Sequence, residues 1–271
     1  MMFSLPSITF LAAIPSVYAW GQLGHQTIGL IAQSYLLPNT IEKVQFYLND
    51  TTPTYMGNIA TWADSYRYLP EGAFSYGYHF IDSEDAPPPD SCKIEYPGDC
   101  PPEGCIVSAI ANYFIGDITQ PLHTEGYGAG GNDVAVSFLG KATNLHAAWD
   151  TAIPNRMLNT TKPGFLEALG WANNLAANVN AGKFKHDVKS WIKHHDIKGD
   201  GPAESATQWA RDSNKLVCSY VLEDGPKTMN NTEIGGKYYE DSIDIVEMQI
   251  AKGGIRLAAW LNMIFEGETG F

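Results

Sequence analysis

The chain has 271 residues, with 30 acidic side chains against 17 basic ones and a formal net charge of -13. That balance excludes a protein that grips duplex DNA through a basic face, because such a face relies on Lys and Arg to neutralise phosphates. If phosphate is the substrate, bound metal ions are the natural source of positive charge.

Residues 1–19 hold the apolar run Phe10-Leu11-Ala12-Ala13-Ile14, then Pro15, then Val17 and Ala19 at the positions a signal peptidase inspects. They read as a secretory signal peptide cleaved after Ala19, which makes 20–271 one mature extracellular domain and frees the amine of Trp20 as a metal ligand near His25. The run is too short to span a bilayer, and no later stretch is long and apolar enough to do so. Gly24 to Leu37 is predicted as a helix stopped by Pro38, and Thr40 as the cap of a second one running to Leu48. Pro53 to Tyr68 reads as a third helix. Asp85 to Pro102 is a Pro-, Asp- and Gly-rich loop, and Val134 to Phe138 is one arm of a short hairpin. Ile243, Val246, Ile250, Leu257, Leu261 and Ile264 recur at helical spacing and predict a long core helix interrupted at Gly253-Gly254. The expected class is all-α, with one short β-hairpin.

Cys92, Cys100 and Cys105 lie close together and Cys218 lies far downstream, with no Cys-x-x-Cys pair. Two disulfides in an oxidising compartment fit this better than a zinc knuckle. Asn49, Asn159 and Asn230 open N-x-Ser/Thr triplets, which suits a glycosylated secreted surface.

His146-Ala147-Ala148-Trp149-Asp150 places an imidazole and a carboxylate four residues apart, on one helix face, where both can reach a single ion. Asp64, His79, Asp117 and His123 lie in comparable apolar contexts, the last just after Gln120-Pro121-Leu122. His186, His194 and His195 sit in a Lys-rich stretch and read as solvated surface.

These strings resemble the S1/P1 nuclease family and, more distantly, the zinc-dependent phospholipase C family. The matching segments are Trp-Gly-x-Leu-Gly-His at Trp20, Trp-Ala-Asp-x-Tyr-Arg at Trp62 and His-Phe-Ile-Asp-x-Glu-Asp at His79. Phe-Ile-Gly-Asp-x-Thr-Gln-Pro-Leu-His follows at Phe114, Asn-Leu-His-x-x-Trp-Asp at Asn144 and Gln-Ile-Ala-Lys-Gly-Gly at Gln249. The resemblance implies an all-α fold of the phospholipase C/P1 nuclease type holding three zinc ions. One ion would use Asp64, His79, Asp117 and a further His; a second His123, His146 and Asp150; a third the amine and carbonyl of Trp20 with His25 and a shared Asp117. It implies phosphate binding by Arg67 and a base pocket of Phe80 and Asp82, with Asn132 beside it. It also implies a secreted endonuclease that cleaves single-stranded DNA and RNA to 5'-phosphorylated products and acts on 3'-nucleotides, with no membrane and no obligate protein partner.

The chain departs from that pattern at two places. Ala129 stands where a bulkier apolar residue is expected, and Tyr113 stands where the further His should be. The join of Ala111-Asn112-Tyr113 to Phe114-Ile115-Gly116-Asp117 implies that one helical segment near residue 113 is missing, as from a lost stretch of the gene model or splice form. Tyr is not a usual zinc ligand, so two or three ions are expected and activity is expected to suffer. A phospholipase C-like phosphodiesterase and an inactive metal-binding homologue are the alternatives.

Overall fold

In the computed structural model, the described residues are 20–110 and 115–271. The expected signal peptide at 1–19 and the departure from the expected His at Tyr113 lie outside them. Gln22–Gln33 forms α1, and the chain then turns before Pro38. Pro38 is the first residue of α2 (Pro38–Leu48), not a stop for α1, because a helix's first turn has no use for the N–H that proline lacks. Thr40 consequently lies inside α2, with Leu37 as the cap. Its N–H donates to Glu266 Oε1 at 3.0 Å, pinning α2 to the far end of the chain.

The expected helix over 53–68 is two short ones, α3 (Tyr55–Ile59) and α4 (Trp62–Tyr66). Thr61 separates them with non-helical angles (φ -101, ψ 7), and the break turns Asp64 inward while Trp62 faces solvent. Further along come α5 (Ile106–Ile110), α6 (Phe165–Asn180) and α7 (Gly201–Leu216).

The C-terminal stripe forms one unbroken helix, α8 (Lys237–Glu266). Gly253-Gly254 does not interrupt it; the pair lets α1 approach. A Cβ on Gly254 would stand 2.4 Å from Ile31 Cγ2, and one on Gly253 would stand 3.1 Å from both Ile28 Cδ1 and Thr119 Oγ1. Val246 and Ile250 are buried as expected, but Ile264, 48 % exposed, has passed beyond the core. Around α1 pack α8, α6 and α3, and the side of Leu257 reaches all three hydrophobic clusters of the interior.

The hairpin pairs β1 (Ala135–Phe138) with β2 (Lys141–Asn144) antiparallel, and the two-residue β3 (Thr232–Glu233) adds on the other side of β1 in parallel. Leu139 and Gly140, at φ 52 and 75, supply the tight turn that such two-residue connections need. The loop over 85–102 has little core of its own and is tied by Cys92–Cys218 and Cys100–Cys105.

Two consequences can be measured. Ala is favoured over Gly in a helix by about 1 kcal/mol, but overpacking a tight interface costs about 1–3 kcal/mol. Gly254→Ala therefore lowers the denaturation midpoint, and a raised midpoint would show that α1 yields without strain. Beside it, Lys252 is buried; burial pushes its ammonium down to about 8, with Arg256 pressing the same way and Asp212 opposing. Between that value and the ordinary 10.5, the unfolded chain holds a proton that the folded chain lacks, so stability rises with pH across this window. Lys252→Met removes that rise, by roughly 3 kcal/mol in all, as read from denaturant midpoints at pH 7.5 and 10.5.

Candidate metal centre

Four buried side chains from four separate segments meet beside α1. His25 comes from α1, Asp64 from α4, His79 from the end of the 3-10 stretch Ala73–His79, and Asp117 from the start of the turn Asp117–Thr119. His25 Nε2 lies 3.3 Å from Asp64 Oδ2 and 3.2 Å from Asp117 Oδ1. His79 Nδ1 lies 2.7 Å from Asp117 Oδ2 and 3.5 Å from Asp64 Oδ1. Burial pushes the Asp117 carboxyl up, yet His25 and His79 outweigh it and hold the group well below the ordinary range. For Asp64 burial prevails and the carboxyl is raised. Neither oxygen of Asp64 accepts a hydrogen bond, and a buried carboxylate without donors is costly unless a cation serves it. This nitrogen and oxygen donor set fits a zinc-type ion.

The second group is made of His123, His146 and Asp150. His123 Nδ1 donates to the carbonyl of His79 and His146 Nδ1 to the carbonyl of Gly130, each at 2.7 Å. With the ring protons placed there, the two Nε2 atoms turn their lone pairs inward, only 3.1 Å apart, with His146 Nε2 3.2 Å from Asp150 Oδ2. Converging acceptors of this kind also fit a cation. Burial, reinforced by the neighbouring His146, pushes His123 down to about 4, so it stays neutral and ready to ligate in mild acid. The spacing of His146 and Asp150 holds even though the segment is a three-residue helix followed by a wider turn at Ala148–Ala152.

The remaining expected residues surround these groups. Trp20 is fully buried, and its indole donates to Thr119 Oγ1 at 3.0 Å. Arg67 caps α4, buried between the rings of Tyr68 at 5.1 Å and Tyr76 at 5.6 Å, and its charge acts on both Asp64 and His146. Phe80 and Asp82 line one hollow of about 250 Å³, where burial and Glu84 raise the Asp82 carboxyl. Asn132 does not line that hollow; its amide donates to the carbonyl of Ala129, which itself lies at φ 51. His194 and His195 are half-buried rather than fully solvated, and His195 Nδ1 bonds the Ile192 carbonyl.

Two features escape the sequence. His25 pairs with Asp64 as well as Asp117, whereas the family resemblance gives His25 and Asp64 to different ions. Gln120, fully buried, donates to Asp150 Oδ1 at 2.7 Å and accepts from Leu122 N at 2.6 Å, which fixes the carboxylate's direction. The following Pro121 holds Gln120 in the extended conformation that makes this reach possible (φ -84, ψ 118), and that Gln-Pro pair is the available signal.

A sequence model of the family described as S1/P1 Nuclease matches residues 20–114 and 112–266. The chain belongs to the S1/P1 nuclease family. It is 39 % identical to nuclease P1 of Penicillium citrinum over 272 aligned positions, covering 92 % of this chain and 99 % of that protein. To nuclease S1 of Aspergillus oryzae it is 40 % identical, covering 95 % and 96 %. To endonuclease 3 of Arabidopsis thaliana it is 30 % identical, covering 92 % and 90 %. The family match comes in two pieces that meet at 112–114. Of the 272 positions aligned with nuclease P1, this chain fills 92 % of 271 residues, about 249, so about 23 face no residue here.

Gln120→Ala leaves Asp150 without its donor, so metal affinity at the second group falls by about 10–100-fold. Competition against a coloured chelator measures this; unchanged affinity would mean that the carboxylate is oriented by packing alone.

Proposed function

We propose that this S1/P1-family chain is a secreted, zinc-dependent endonuclease that hydrolyses single-stranded DNA and RNA to 5'-phosphorylated products and dephosphorylates 3'-nucleotides. The observation that carries this is the convergence of two buried groups, His25/Asp64/Asp117 and His123/His146/Asp150, whose donor atoms face one another. In this reading Asp64, His79 and Asp117 hold one ion and His123, His146 and Asp150 a second, while the Trp20 amine and carbonyl with His25 hold a third and share Asp117. Zinc, when bound, supplies the positive charge that polarises a phosphodiester and activates water for in-line attack.

The chain's own residues do the rest. Arg67 balances charge on the phosphate, held for the task by the two tyrosine rings. Phe80 stacks a splayed base and Asp82 reads its edge from the same hollow, which selects unpaired bases and favours a nuclease over a lipid phosphodiesterase. Asn132 is given a neighbouring contact in this reading. Removal of 1–19 frees the Trp20 amine and leaves 20–271 as the mature domain. Asn49, Asn159 and Asn230 are all exposed, which supports their use as glycan acceptors.

Tyr113 and the positions missing against nuclease P1 support a reduced form of this activity, with the first ion held by three donors instead of four. Native mass spectrometry is expected to count two zinc ions, and release of acid-soluble nucleotides from denatured DNA is expected to be slow and abolished by Asp64→Asn. Three ions with ordinary turnover would overturn the impairment, and metal-loaded protein that leaves denatured DNA intact would overturn the activity. Sequencing the transcript across Tyr113 tests the origin of the join; a transcript that encodes Asn112, Tyr113 and Phe114 without interruption rules out a gene-model error.

A further inference from the structure

α4 separates two kinds of side chain within five residues. Asp64 points into the metal centre, while Trp62 and Tyr66, one turn apart, stack on the outside with ring centroids 4.5 Å apart. Tyr66 meets Phe74 edge-on at 6.4 Å, and Phe74 meets Tyr78 in the same manner at 6.0 Å. Tyr68 and Tyr76 complete the surface on either side of Arg67. Trp62, Tyr68, Phe74 and Tyr76 are 52, 54, 64 and 55 % exposed, so the rings form a continuous solvent-facing ridge and not a core. Contiguous apolar surface of this kind marks a place where something binds.

The ridge begins at the metal centre, since Trp62 lines the same cavity of about 310 Å³ as His25, Asp64, His79 and Asp117. Its chemistry selects the occupant. A chain of net charge -13 gains little from long-range attraction to a polyanion, so affinity along a strand must come from contacts indifferent to charge. Stacking of bases on aromatic rings is such a contact, and only unpaired bases offer their faces. We propose that Trp62, Tyr66 and Phe74 form a stacking platform for bases of a single strand whose scissile phosphate lies at the metal centre. The placement of that phosphate rests on the nuclease reading, whereas binding to the ridge is measurable without cleavage.

The test uses the metal-loaded full chain and a hydrolysis-resistant phosphorothioate strand of twelve adenines, titrated by fluorescence anisotropy, with a two-base strand for comparison. Loss of a base stack is worth roughly a factor of ten, so Trp62→Ala and Phe74→Ala each weaken binding of the long strand about tenfold. The ring-keeping variants Trp62→Tyr and Phe74→Tyr restore it, while Leu166→Ala, which removes an exposed apolar residue on α6, leaves it as it was. A twelve-pair duplex competes poorly. The platform is refuted if both alanine variants bind the long strand as the parent does, or if Phe74→Leu restores binding as well as Phe74→Tyr. It is likewise refuted if the two-base strand loses as much as the long one, because the damage then lies in the metal centre. Concentration-dependent sedimentation abolished by Phe74→Ala would reassign the ridge to a second copy of the chain. If long-strand binding behaves as described but denatured DNA is never cleaved, the platform stands and the nuclease reading falls.

Discussion

The structure depends on the electrostatic problem at its centre. Asp64 and Asp117 are buried within reach of one imidazole, and two further imidazoles turn their lone pairs toward each other and toward Asp150. Two like charges about 4 Å apart repel by roughly 4 kcal/mol at an effective dielectric of 20, and desolvation adds to the cost. The imidazoles of His25 and His79, 2.7–3.5 Å from the two carboxylates, are the nearest polar groups that face them. A divalent ion offsets that cost, because it serves every donor at once and carries two charges. Folding and metal binding are therefore linked in this chain: the helices that hold the donors together are stabilised by whatever ion the donors hold.

The regular helices serve as anchors, and the candidate ligands sit where regular structure ends. α1 and α8 approach closely through Gly253-Gly254, and α8 in turn reaches the Thr119 carbonyl through Gln249 at 2.6 Å. That bond fixes the turn holding Asp117. Asp64 rides on a five-residue helix, His79 closes a 3-10 stretch, and His123 lies in a short turn led by Pro121. Short segments need little helix strain to aim a side chain, and the buried frame on either side removes their freedom to move.

Much of this was legible in the sequence because ligand chemistry is local. His146 and Asp150 meet across one turn whether that turn is α-helical or wider, so the spacing survived an irregular backbone. The class, the hairpin and the buried stripe of Val246 and Ile250 followed from periodicity and turn residues. What failed depended on partners distant in the chain. Pro38 and Thr40 belong to α2 because Glu266, 226 residues on, receives the Thr40 N–H. Gly253-Gly254 looks like a breaker until Ile31 is placed against it. Gln120 acts on Asp150 thirty residues away, and nothing in its local context names that target. The two expected disulfides are both present, as Cys92–Cys218 and Cys100–Cys105.

The acidic composition finally constrains how such a chain can hold a polyanion at all. With 30 acidic groups against 17 basic ones, the average surface repels phosphate, so attraction must be confined to a few places. Arg67, proposed above as the phosphate contact, is buried between two rings instead of extended into solvent. A guanidinium held in this way keeps its charge directed at Asp64 and His146 and is little screened by salt. Proteins that bind strands by many Lys and Arg contacts release many counterions, and their affinity falls steeply as salt rises. A surface built from one fixed arginine, metal donors and exposed rings would release few, so the grip proposed here would be short-ranged and nearly indifferent to salt. Under the proposed reading it would discriminate by whether bases are free to leave the stack, which the overall charge of a strand does not report.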